Sequence, residues 1–147
     1  MMEWTGQNGQ RVVISAPSHS ALVDDLRGHF KARKGFTLAT LNLDHAVKMR
    51  RYPQFCEDYC AQTHVTADGN PVVWLSWLSG QKDVELITGS DISAPLVAVA
   101  ADEGVPIALF GSFDRVLSLA SANLRKAYPH INIVAQISPP QGFDPEG

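Results

Sequence analysis

From Val84 to Ile137 the chain alternates short apolar runs with longer segments of helical period, and this order restricts the fold more than any single residue does. Val84–Thr88, Pro106–Phe110 and Ile131–Ile137 are β-type runs. Ile92 to about Glu103 reads as a helix, capped by Asp91 and closed by Gly104. Phe113–Tyr128 keeps a 3.6-residue period through Val116, Leu119, Ala120, Asn123 and Leu124. Crossovers of this length suit parallel pairing of the strands they join.

Upstream, the pattern predicts a short strand at Val12–Ile14. A helix follows, capped by Ser18 or Ser20, carrying Leu22, Leu26 and Phe30, and ended by Gly35. Phe36–Leu43 reads as a strand, His45–Arg51 as a helix, and Pro53 starts a second helical segment with Phe55 and Tyr59 on one face. His64–Ala67 is a strand entering the turn pair Asp68-Gly69, and Pro71–Leu78 is apolar at helical spacing. The expected fold class is α/β: one Rossmann-like domain over residues 1–147, its sheet mostly parallel with helices on both faces.

Composition narrows the function classes. A chain of 147 residues, 45% hydrophobic and 18% charged, can build its own core and is not a disordered tail. Net charge is −3, and the small basic clusters Lys31, Arg33, Lys34 and Lys48, Arg50, Arg51 suit solvated helix faces, so no nucleic-acid partner is expected. Cys56 and Cys60 share a helix face, poor geometry for a disulfide and too few ligands for a metal; they are expected as reduced thiols. No apolar run approaches the ~20 residues of a membrane span, and the opening stretch to Arg11 is polar, so the expected location is cytoplasmic. The G-x-G-x-x-G fingerprint is absent, which removes the main signature of a nicotinamide-dependent oxidoreductase.

In open α/β sheets ligands bind outside the carboxyl ends of the strands. The loops at those ends are 42–45, 68–70, 88–91, 111–114 and 138–143. Asp68 stands on a strand-exit turn, where an ionised carboxylate can accept a proton, and Gly69 lets a backbone approach closely. Asp-Gly is also a common plain turn pair. Thr40 and Asn42 offer a hydroxyl and an amide at the end of a strand, although Asn42 or Asp44 would equally cap the next helix. His45 fits either a loop-fixing or a substrate-contacting role. Gly89 and Ser90 open a helix whose free N–H groups favour an anion, while the charge of Asp91 opposes phosphate at that point. Trp74 and Trp77 suit core packing beside the sheet, with a ligand groove or a membrane-facing surface as the alternative.

The segments Thr40-Leu41-Asn42-Leu43-Asp44-His45, Asp68-Gly69, Thr88-Gly89-Ser90-Asp91, Leu109-Phe110-Gly111, Tyr128-Pro129 and Ser138-Pro139-Pro140-Gln141-Gly142-Phe143 occur in one order. In that order they resemble the motifs of the WecG/TagA/CpsF family of bacterial glycosyltransferases. The resemblance implies inverting transfer of an N-acetylhexosamine-type sugar from a UDP-sugar donor to a lipid-linked acceptor of the undecaprenyl-diphosphate type. The setting implied is synthesis of cell-surface polysaccharide or teichoic acid at the inner face of the membrane. It further implies Asp68 as the catalytic base, substrate contacts from Thr40, Asn42, His45, Gly69, Gly89, Ser90 and Asp91, and neither cofactor nor essential metal.

Two departures accompany the resemblance. Leu86 stands where the family usually carries an arginine, which bears on donor diphosphate binding. The family pattern also continues past the Phe143 segment through a further helix and strand, so the chain is expected to be incomplete relative to that pattern. A sheet edge left open there would be covered by self-association into a homo-oligomer. The alternative to an active enzyme is therefore a truncated, non-catalytic binding or remnant module of the same family.

Overall fold

The computed structural model describes residues 3–6 and 8–144. Pro145 and Glu146, expected to lead toward a further helix, lie outside the described residues, as does Gly147. Among the described residues there are six strands and six helices, and the chain divides into two compact units, Met1–Leu96 and Val97–Gly147. The α/β class holds. The strands form three two-stranded ladders, one antiparallel and two parallel.

In the first unit β1 (Glu3–Thr5) pairs antiparallel with β2 (Arg11–Val13). The polar opening of the chain hides β1 from pattern reading. Helix α1 (His19–Lys31) starts where Ser18 Oγ accepts from Ala21 N, and its first amide, His19 N, donates to the Glu85 carboxylate at 2.8 Å. It ends at Ala32, before Gly35, because Arg33 takes the left-handed turn at φ 51°.

Strand β3 (Leu38–Leu41) pairs parallel with β4 (His64–Ala67), with Leu41 opposite Ala67. The connection is α2 (Leu43–Arg51) and α3 (Pro53–Cys60), and Pro53 sits at the start of α3 where its missing N–H is not needed. All four residues of β4 are buried, as expected of a strand covered on both faces. Helix α4 (Asn70–Leu78) follows at once.

The run Val84–Thr88, expected as a strand, makes only a single parallel bridge, Ala67 to Leu86. Its polar groups are divided among unlike partners. Glu85 N donates to Pro17 O and Ile87 N to Ala67 O, while Trp77 Nε1 and the Thr66 hydroxyl take the carbonyls of Val84 and Ile87. A segment bonded in this way cannot run a continuous ladder.

Two apolar clusters hold this unit, both within residues 12–96. One gathers Leu41, Val65 and Ala67 with Ala46, Met49, Cys56, Tyr59, Val72 and Val73 of α2, α3 and α4. The other joins Leu22 and Leu26 of α1 to Ala16, Ile87 and Ile92. Alternate residues of β4 serve opposite sides, since Val65 and Ala67 enter the first cluster while His64 meets α1.

Helix α5 (Gly89–Asp102) begins in the first unit and ends in the second. In the second unit β5 (Ile107–Phe110) pairs parallel with β6 (Ile133–Ile137), and α6 (Asp114–Ala127) connects them. The turn into α6 uses Gly111 at φ 107° and Ser112 at φ 61°. No described helix is long and apolar enough to cross a membrane.

Candidate active site

The carboxyl ends of β3 and β4 and the start of α5 converge in the first unit. Asp68 N donates to Leu41 O at 2.8 Å, which carries the ladder one residue past the strands and fixes the start of the Asp68 turn. Gly69 then takes φ 112° and ψ 137°, a conformation essentially confined to glycine, and begins α4. The result is a sharp strand-to-helix corner with the half-buried Asp68 at its apex. The start of α5 closes on the same place, since a side chain at Gly89 would come within 3.8 Å of Thr40 Cγ2.

Asn42 caps α2, its Oδ1 accepting from His45 N at 2.9 Å. The capping role anticipated for it is therefore realised, and no described residue pairs with its amide nitrogen. The His45 ring is held from below. Its Nδ1 lies 2.8 Å from the Tyr59 hydroxyl and 3.2 Å from Thr40 O, and the hydroxyl itself donates to Thr40 O at 2.7 Å. A proton on Nδ1 satisfies all three contacts and leaves Nε2 as the open position of the ring. Burial, reinforced by the negative charge of Asp68, pushes the Tyr59 phenol up to about 12. That coupling brings Tyr59 into the same group as Thr40, His45 and Asp68.

Tyr59 was not among the residues expected at the site. Its signal was present: an amphipathic tyrosine on the buried face of α3 needs a polar partner for its hydroxyl.

At the start of α5 the cap is Thr88, not Asp91. The Thr88 hydroxyl donates to Asp91 Oδ2 at 2.7 Å, Asp91 N donates back to Thr88 Oγ1 at 3.1 Å, and Ile92 N bonds Thr88 O. This is a reciprocal capping box, which the Thr-x-x-Asp spacing encodes and which moves the helix start to Gly89. The Thr88 hydroxyl and amide hold the Asp91 carboxyl below its ordinary range. Ser90 Oγ lies 2.9 Å from Thr88 Oγ1 and is exposed.

The loops after β5 and β6 meet in the second unit. Gly111 N donates to Ile137 O, Ser138 Oγ donates to Ser112 O at 2.8 Å, and the rings of Phe110 and Phe143 meet edge to face at 5.9 Å. Trp74 and Trp77 depart from the core-packing role expected of them, being 56% and 46% exposed. On α4 the buried positions go instead to Val72, Val73 and Ser76.

The family model of the glycosyl transferase WecG/TagA/CpsF family matches residues 9–147, nearly the whole chain. The chain belongs to that family. A search of curated proteins finds no match. Membership in the WecG/TagA/CpsF family makes sugar transfer the general chemistry, with a glycosyl donor and an acceptor as its substrates.

Proposed function

We propose that the chain is an inverting glycosyltransferase domain, Rossmann-like in plan, in which Asp68 deprotonates the acceptor hydroxyl as it attacks the donor's anomeric carbon. The observation carrying this reading is the placement of Asp68 at the carboxyl end of a buried parallel strand, beside Thr40, His45 and the Gly89 turn. A carboxylate there is half-buried and reachable by substrate. Inversion needs only one displacement: the acceptor oxygen bonds to the anomeric carbon as the bond from that carbon to the UDP oxygen breaks, the proton passes to Asp68 and UDP leaves, so one base suffices. Thr40 and the free amide of Asn42 orient sugar hydroxyls, and His45, clamped through Nδ1, presents Nε2.

Gly69 supplies the positive-φ backbone that turns the chain sharply after the base. Gly89 and Ser90 offer amide and hydroxyl donors. Asp91 places a negative charge at the positive end of α5, which disfavours a diphosphate there. The donor is then held at this point through its sugar, with Asp91 Oδ1 accepting from a hydroxyl. A UDP-linked N-acetylhexosamine fits that pattern. For the acceptor, α4 leaves the base with Trp74, Leu75, Trp77 and Leu78 exposed, an apolar face suited to a lipid-diphosphate carrier at the inner membrane surface.

Replacing Asp68 by Asn is expected to abolish transfer from UDP-sugars to a lipid-diphosphate acceptor while leaving the melting temperature unchanged. Unchanged turnover in that variant would sink the assignment. Leu86, 38% exposed and uncharged where the family usually carries arginine, favours a second reading as a binding module without turnover. Binding of UDP-sugars by the wild type with no transfer to any lipid acceptor is the outcome that selects it.

A further inference from the structure

Away from that corner, α1 and the first residue of β4 bring three metal-ligating side chains together. Asp25 and His29 lie one turn apart on α1 and so share a face, and His64 meets them from the sheet. His64 Nε2 is 2.6 Å from Asp25 Oδ2, and His29 Nε2 is 3.8 Å from the same oxygen. One donor atom from each of the three residues lies within 4.8 Å of the others. Two imidazoles and one carboxylate, with room for water, are the donor set of open zinc-type sites.

The surroundings favour an ion over a plain ion pair. His29 Nδ1 lies 3.3 Å from Lys34 O, which draws the ring proton to Nδ1 and leaves the Nε2 lone pair facing Asp25. A backbone carbonyl on the far nitrogen is the usual support of a metal-bound histidine. His64 is only 5% exposed, and Nε2 is the ring nitrogen that faces Asp25. Phe36 packs edgewise against both imidazoles, at 5.4 and 5.9 Å, and shields them from water. Asp25 is exposed and gives an entry path.

We propose that Asp25, His29 and His64 form a binding site for a divalent transition-metal ion of the zinc type, with water as fourth ligand. In the metal-bound form His29 and His64 each coordinate through Nε2 and carry their ring proton on Nδ1, and Asp25 binds through one carboxylate oxygen. Ligands at ~2.0–2.2 Å around one tetrahedral ion stand roughly 3.3 Å apart, so the 2.6 Å contact opens and the 3.8 Å contact closes by small side-chain rotations. His64 and Asp68 occupy opposite ends of β4, roughly 13 Å apart at the strand rise. The ion therefore does not reach the proposed base. It ties α1 to the sheet, and its effect is on stability.

The test is titration of the metal-free full chain with Zn²⁺, followed by calorimetry and melting, and with Co²⁺, followed by its visible spectrum. One equivalent should bind, raise the melting temperature and give the cobalt bands of a tetrahedral nitrogen–oxygen site. His29→Gln and Asp25→Asn, both off the core, should each weaken binding at least about ten-fold while the metal-free variants still melt cooperatively. Absence of binding, equal binding in both variants, or a thiolate-to-cobalt band placing the ion on Cys60 would each overturn the site.

Discussion

Gly69 and Tyr59 carry the site's local energetics. At Gly69 an added Cβ would meet nothing closer than Pro71 Cδ at 3.7 Å, so a side chain has room and the obstacle is the backbone. Gly69→Ala should therefore cost about 1–3 kcal/mol by strain alone. The check is a thermal melt, with a fall of about 3–10 °C. Tyr59 is the polar link between α3 and the end of β3. Tyr59→Phe keeps the ring but leaves Thr40 O and His45 Nδ1 short of a partner, a loss of about 1–2 kcal/mol by urea unfolding at neutral pH. Its phenol is raised from about 10 to about 12, so the neutral form is favoured in the fold. That contribution is intact below pH 10 and is lost as pH climbs through 12. Stability measured across this window should fall more steeply in the wild type than in Tyr59→Phe.

Among the elements, α5 shows how a cap sets both a boundary and a pH response. Thr88 and Asp91 satisfy each other's amides, and Thr88→Ala should cost about 1 kcal/mol in unfolding experiments. The Asp91 carboxyl is depressed in the fold, so its contribution is present above the ordinary aspartate range and is lost as pH falls through the lowered value. In Thr88→Ala that acid-side loss should largely disappear, because the hydroxyl and its geometry are its cause. A pH series of melts on both proteins decides it. Helix α4 behaves differently, since it lacks a side-chain cap and is apolar nearly all round. Its exposed Trp74 and Trp77 form, with Leu75 and Leu78, the apolar surface to which the proposed function assigns the acceptor.

For the whole molecule, burial is uneven. Strand β4 is buried at every position, while β5 and β6 alternate half-buried with exposed residues. Amide hydrogen exchange should follow: β4 amides should exchange at least about ten-fold more slowly than those of β6. Equal protection in the two ladders would show that burial does not govern opening here. The two cysteines fit the same distribution, with Cys56 in the core and Cys60 exposed on α3.

Sequence pattern alone determined the order of the elements and most of the elements themselves, β1 and the run Val84–Thr88 excepted. The helices α1 and α6, the strand His64–Ala67 and the turn at Asp68-Gly69 all follow from periodicity and turn chemistry, which are local properties, although on α6 Val116 and Leu119 of the expected stripe are exposed and Leu117 and Ser121 are the buried positions. The ordered motifs determined the family. Tertiary structure decided what depends on partners distant in sequence. It broke the run Val84–Thr88 into a single bridge because Pro17, Ala67, Thr66 and Trp77 claim its polar groups. It also turned Trp74 outward, joined Tyr59 to His45, and set His64 against Asp25 across 39 positions of chain. Periodicity tells which face of an element is apolar, but only the assembled core decides what that face meets.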